Sequence, residues 1–171
     1  MKLETLQDLY IEELKDLYDA ENQLLKAIPK MAKAATSPDL KNAFEDHLQV
    51  TQSQVDRLEQ IFDALGTKAK GKKCKAMEGL IAEAKELLDQ DAEEDVLDAG
   101  LIVAAQKIEH YEIAGYGSVR TYAEQLGRDE DAELLQQSLE EEKETDEQLS
   151  DLAMECINIE AEEPEPHEEK A

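Results

Sequence analysis

Four stretches of roughly thirty residues repeat apolar side chains every third or fourth position, and each repeat is broken near its middle by polar groups. The period is that of an α-helix, and the stripe it draws is wide enough to bury one face of each helix against the others. The interruptions are the constraint. A bundle built on these stripes must place acids in its own core, and a buried carboxylate without a partner costs several kcal/mol, of order 3 or more, or takes up a proton.

The sharpest case is Ala104 to Gly117, AAQKIEHYEIAGYG, in which Glu109 and Glu112 stand one turn apart in a helix of small and apolar residues. Residues at i and i+3 share a helix face. That face also carries Ile102, Ala105, Tyr116 and Val119.

Boundaries follow from the local chemistry. The first helix runs from Glu4 to about Ala35 through Leu6, Leu9, Leu17, Leu24, Ile28 and Met31, with Pro29 marking a kink or a local irregularity near its C-terminal end and Glu21 on the stripe. Ser37 is a natural N-cap and Pro38 a natural first residue for the second helix, which runs to Leu65 and stops at Gly66. Its stripe turns polar at His47, Thr51 and Gln54. GTKAKGKK, from Gly66 to Lys73, is a basic loop, and KCKAMEGLIAEAKELLD forms a short helix able to carry the chain from one end of a bundle to the other. Asp95 is the expected cap of the third long helix, Val96 to about Leu126, stopped by Gly127. Gly100, Ala104, Ala114, Gly115 and Gly117 thin one side of it for close helix approach. Asp129 is the expected cap of the fourth, Glu130 to about Ile157, whose stripe of Leu135, Leu139, Leu149 and Leu152 is interrupted by Glu142 and Asp146. From Ile159 the periodicity is lost, so residues 1–158 read as one helical domain and 159–171 as an acidic, disordered tail in which His167 is solvated.

Composition agrees with all-α architecture and narrows the partners. Eighteen basic residues against 43 acidic ones give a formal charge of -25, which repels nucleic acid and anionic membranes and favours divalent cations. DNA protection finds support only in the lysines between 68 and 75. No run of 18 apolar residues exists, and MKLETLQDLYIEEL does not resemble a signal peptide, so a cytoplasmic location is expected. Cys74 and Cys156 match no metal-binding spacing and are expected as reduced thiols.

Helices of this length bring their midpoints to one level, where Glu21, His47, Gln54, Glu109, Glu112, Glu142 and Asp146 become candidate ligands for a metal pair. Taken singly, each fits ordinary solvation or hydrogen bonding; their recurrence in all four helices points to a site. Glu21, Glu109 and Glu142 are the leading choices, while Glu112 and Asp146 lie nearer the edges of their stripes. Tyr18, Tyr111, Tyr116 and Tyr122 are expected to hydrogen-bond buried acids. The dimetal bundle pattern of one Glu from each of two helices and Glu-x-x-His from the others is not kept: Phe44 precedes His47 by three, and Thr145 follows Glu142 by three.

The segments LYDAENQL, FEDHLQVTQSQVDRLEQIF, KCKAMEGLI, AAQKIEHYEIAGYG and LEEEKETDEQLSDLA together resemble the YciF/YciE family of bacterial stress-associated proteins, over about residues 3 to 154. The resemblance implies a ferritin-like four-helix bundle with an extra short crossover helix, a dimetal-type site and a homodimer; the carboxylate-rich donor set makes iron or manganese the expected metal. It also implies a Glu three residues after the helix-two histidine; Val50 stands there. Two functions are therefore expected in competition: a stress-response protein with a carboxylate-rich metal site that reacts with oxygen or peroxide, and a metal-free helical scaffold whose buried acids share protons. Iron storage requires a shell of many subunits, which one chain does not reveal.

Overall fold

A computed structural model describes residues 3–70 and 72–162, and every described regular element is helical. Helix α1 spans Leu6–Ala34, α2 Pro38–Ala64, α3 Lys75–Leu88, α4 Glu94–Gln125 and α5 Asp129–Leu152. A π-helical turn at Ala153–Ile157 follows, and then the short α6, Asn158–Glu162. The expected tail thus begins its course as helix through Glu162; His167 lies outside the described residues.

α1 packs on α2 and α4 on α5, each pair joined by a link of a few residues and so antiparallel. α1 also meets α4, and α2 meets α5, closing a four-helix bundle. α3 is the crossover: 14 residues, about 21 Å at the helical rise, packed on α4 and α1.

The ends of the long helices show why they stop where they do. Thr5 and Asp8 form a reciprocal capping box at the start of α1. Ser37 accepts the Leu40 amide ahead of Pro38, as predicted. Gly66 and Gly127 take left-handed φ angles of 62° and 69°, which L side chains resist, and reverse the chain after α2 and α4. Two expected caps differ. The residue before α4 is Glu93, not Asp95, and no side chain caps it; Asp95 lies within the first turn. Arg128 precedes α5, because the turn at Gly127 leaves one linking residue and draws Asp129 into the helix with Glu130 and Asp131, beside the positive end of the dipole. α1 continues through Pro29.

Gly100 and Gly115 of α4 do admit neighbours, whereas Gly117 has nothing within 4 Å of where a Cβ would stand and Ala114 is exposed, so the thin side of the helix is only partly used for packing. A Cβ on Gly115 would lie 2.7 Å from Leu17 Cδ2, and one on Gly100 2.8 Å from Leu87 Cδ2.

The core is divided in two. One apolar cluster includes Leu24, Ile28, Met31, Leu40, Phe44 and Leu101. The other includes Tyr10, Leu14, Leu17, Leu58, Phe62 and Leu135. Leu17 and Leu24 of the same helix face belong to different clusters, and Glu21 stands between them. The two clusters hold a polar layer at mid-bundle between dry walls.

Candidate metal centre

Every long helix sends a side chain into this layer. Glu21 comes from α1, His47, Thr51 and Gln54 from α2, Glu109 and Glu112 from α4, and Glu142 from α5, all buried. One ligand atom each of His47, Glu109, Glu112 and Glu142 lies within 4.8 Å of the others. Glu21 joins them through its interactions with Glu142 and Glu112. Six of the seven candidate ligands therefore converge. The seventh, Asp146, sits at the rim, where its carboxylate faces His110 Nε2 at 3.3 Å and accepts from Gln106 Nε2 at 3.1 Å. Glu112, expected at an edge, is fully buried at the centre because the α4 face is rotated squarely inward.

Hydrogen bonds fix part of the layer. Tyr116 donates to Glu21 Oε1, and Gln54 donates its amide to Glu142 Oε1 and, at 3.3 Å, to Glu141 Oε2. Glu141 is itself held by Arg57, whose Nη1 also donates to Ser138 Oγ at 2.9 Å. Thr145 Oγ1 donates to the Glu141 carbonyl at 3.1 Å and lies 3.2 Å from His47 Nδ1. With its single proton committed, the hydroxyl oxygen accepts from Nδ1–H. His47 then carries its lone pair on Nε2, which faces Glu109 Oε1 at 3.4 Å.

The remaining atoms are short of donors. Glu21 Oε2, Glu109 Oε2, both Glu112 oxygens, Glu142 Oε2, Gln54 Oε1 and His47 Nε2 are buried without a hydrogen-bond partner. Buried polar atoms are ordinarily paired, and a convergent set of acceptors is answered by a cation or by protons. The electrostatics carry the same demand. Burial, reinforced by neighbouring carboxylates, raises Glu21, Glu109 and Glu112 well above the usual carboxylate range. Burial lowers His47, keeping the imidazole neutral, although Glu142 and Glu141 pull the other way. A hard, oxygen-rich donor set with one neutral imidazole fits iron or manganese.

The tyrosines divide differently from expectation. Tyr116 serves the site, but Tyr18 donates to Glu59 at 2.8 Å on the surface, Tyr111 turns away to Asp16 and Cys74, and Tyr122 packs in an apolar cluster. Both cysteines are free. The supporting roles of Arg57, Glu141, Ser138 and Thr145 escape a reading of the stripes; the one available signal was Arg57, three residues after Gln54 on the same line of α2.

Comparison with known proteins matches residues 5–162 to the family described as a domain of unknown function, DUF892. The chain is 47% identical over 163 residues to Protein YciF of Escherichia coli, covering 95% of this chain and 98% of that one. It superposes on the crystal structure of that E. coli stress protein with a TM-score of 0.88, over 91% and 99% of the two chains. YcfI of Rhodopseudomonas palustris, for which a structural role has been suggested, is 44% identical, with a TM-score of 0.85 over 87% of this chain and 95% of that one. A protein of Xanthomonas campestris pv. campestris shares the fold at 21% identity, with a TM-score of 0.73 over 92% and 96%. The ferritin-like bundle implied by the sequence resemblance is therefore the fold. Among the described residues, no helix is long and apolar enough to cross a membrane.

Proposed function

Because the chain belongs to the DUF892 family, we propose that it is a cytoplasmic stress-response protein that holds iron or manganese at the mid-bundle layer. The observation that carries this reading is the set of buried, unpartnered acceptors on Glu21, His47, Glu109, Glu112 and Glu142. Those five residues would hold the metal, and Gln54 Oε1 would assist as a neutral ligand. Bound iron or manganese supplies one-electron exchange with dioxygen or peroxide.

The chain's own part is to prepare the donors. Gln54 orients Glu142, Tyr116 orients Glu21, and Thr145 fixes the imidazole tautomer that leaves Nε2 free to bind. The apolar clusters on either side exclude water and strengthen each charge within. A homodimer of such bundles belongs to the same reading.

Metal analysis of protein purified from iron- or manganese-supplemented cells tests the proposal. Near-stoichiometric metal that is lost in Glu109→Ala supports it. Less than about a tenth of an equivalent, unchanged by that substitution, rejects it. A metal-free scaffold draws on the Tyr116–Glu21 hydrogen bond, which already satisfies one oxygen of that acid without a cation. That reading predicts a melting temperature indifferent to chelator.

A further inference from the structure

On the outside of the bundle, away from the acidic layer, α1 and α3 enclose a groove of about 230 Å³. Its floor is Ala27, Met31, Ile81, Ala84 and Leu88. Its rim is Lys26, Lys30 and Lys85, all exposed, with Gln23 at the end nearest the start of α3. Gln23 is committed there, donating to Asp19 and to the Cys74 carbonyl at 3.0 Å, so it pins the two helices together.

The charge of this groove is opposite to that of the molecule. No acid lines it. Three other surface grooves carry acids: Glu124, Asp129, Glu133 and Glu140 in one, Glu83 and Glu86 in another, and Asp129, Glu130 and Asp131 in the third. Some lysines elsewhere find partners, as Lys72 does with Glu12, Glu13 and Asp16, and Lys107 with Glu83, while others, such as Lys15 and Lys33, stand singly without an ion pair to any described residue. Among the described residues, Lys26, Lys30 and Lys85 make no ion pair. Lys26 and Lys30 are moreover one turn apart on α1, a like-charge spacing that repels. In a chain with 43 acids and a net charge of -25, three unpaired cations around an apolar floor form a local site for an anion with an apolar body.

We propose that the α1–α3 groove binds a free organic carboxylate with a single medium-length hydrocarbon chain, its head among Lys26, Lys30 and Lys85 and its chain along Met31, Ile81 and Leu88. The volume suits one chain and is below the roughly 300 Å³ at which drug-sized cavities begin. A bilayer is the poorer occupant, because the remaining surface charge repels anionic head groups beyond the three lysines. The unbranched thioether of Met31 lets the floor adapt to the chain. This inference does not depend on the metal reading.

The test is a titration of the full-length protein, methyl-labelled at Ala, Ile, Leu and Met, with decanoate and separately with decanol, below the concentration at which either aggregates. Decanoate is expected to shift the Ala27, Met31, Ile81, Ala84 and Leu88 methyls saturably and to bind more tightly than decanol. Raising the salt should weaken decanoate alone. The double variant Lys30→Glu/Lys85→Glu, altered only at exposed positions, should weaken decanoate by about tenfold or more and leave decanol nearly unchanged. Equal affinity for the two ligands, non-saturating shifts, or unaltered binding in the variant overturns the proposal. It is also overturned if the variant converts a dimer to a monomer in sedimentation, which would make the groove a contact between copies. Shifts of these methyls on anionic vesicles but not on decanoate would assign it to a lipid surface instead.

Discussion

His47 Nε2 stands 3.4 Å from Glu109 Oε1 with neither atom hydrogen-bonded to the other, across the bundle core between the diagonally opposed α2 and α4. The relationship is set from behind: Thr145 Oγ1 accepts a hydrogen bond from Nδ1–H, so a nitrogen lone pair and a carboxyl oxygen face one another in a dry layer. Two acceptors in that position repel unless a cation or a proton lies between them. Thr145→Val should therefore leave the fold intact, since Thr145 is only half-buried, while lowering metal affinity by about 10- to 100-fold, the usual cost of losing a group that orients a ligating histidine. Competitive titration against a metal-binding dye measures this. An unchanged affinity would show that the tautomer is not held by Thr145.

Val50 lies three residues after His47 on α2 and is half-buried, at the place where the family resemblance calls for Glu. A carboxylate at i+3 shares the histidine's face and can reach the same layer. Val50→Glu should raise the metal bound at saturation, from about one ion toward about two per chain, since a metal pair needs the additional oxygen donors. It should also lower the stability of the chelated protein, because one more acid enters the dry layer. Metal analysis and thermal melts with and without chelator check the two halves separately.

How far the sequence discloses this depends on the kind of residue. Periodicity and glycine stops locate all four long helices and the crossover, because Gly66 and Gly127 are needed for left-handed turns and the stripes are long. The layer itself is legible in Glu21, His47, Glu109 and Glu142, since a polar group in the middle of an apolar stripe has to be answered by a partner inside the core. Asp146 is different: it lies one turn beyond Glu142, yet its half-exposed carboxylate is taken by His110 and Gln106 of α4, a pairing that depends on helix rotation. Tyr111 likewise sits between two ligands in sequence but points to Asp16 and Cys74 on the other side of α4. Spacing fixes which face a residue occupies only to within part of a turn, and at the edges of a stripe that margin decides between core and rim. Caps fail for a related reason, since the tight turn at Gly127 rather than side-chain preference sets where α5 begins.

Asp98 ties the link between α1 and α2 to α4. Its carboxylate accepts from the Thr36 amide at 2.9 Å, the Thr36 hydroxyl at 2.7 Å and the Ser37 amide at 2.7 Å. Removing it strands two backbone amides at a helix junction. Asp98→Ala should cost about 2–4 kcal/mol in urea denaturation. Metal binding should survive, because Asp98 precedes Glu109 by about three helical turns and belongs to the end of the bundle, not to its midpoint. A loss below about 1 kcal/mol would mean that water replaces the carboxylate at no great cost.

Acid should affect the metal-free and metal-loaded proteins in opposite senses. Glu21, Glu109 and Glu112 have folded-state values raised above 4.5, chiefly by burial. A group so raised stabilises the fold fully below its unfolded value, and that contribution is lost as pH rises through the folded value. The chelated protein should therefore melt at a higher temperature as pH falls from neutral toward about 5. Further acidification reverses the gain, because Asp16, despite burial that pushes it upward, is held below its usual value by Tyr111, Cys74 and Lys72, and that stabilisation disappears as it protonates. With metal bound, protons compete for the same oxygens, and stability should fall over the window in which the chelated protein gains it. Glu109→Gln removes one of the three raised groups, so the chelated variant should be more stable than the parent at neutral pH and less responsive to acid. Melting curves of chelated and loaded protein across this range test the sign directly; parallel curves for the two forms would exclude metal from the layer.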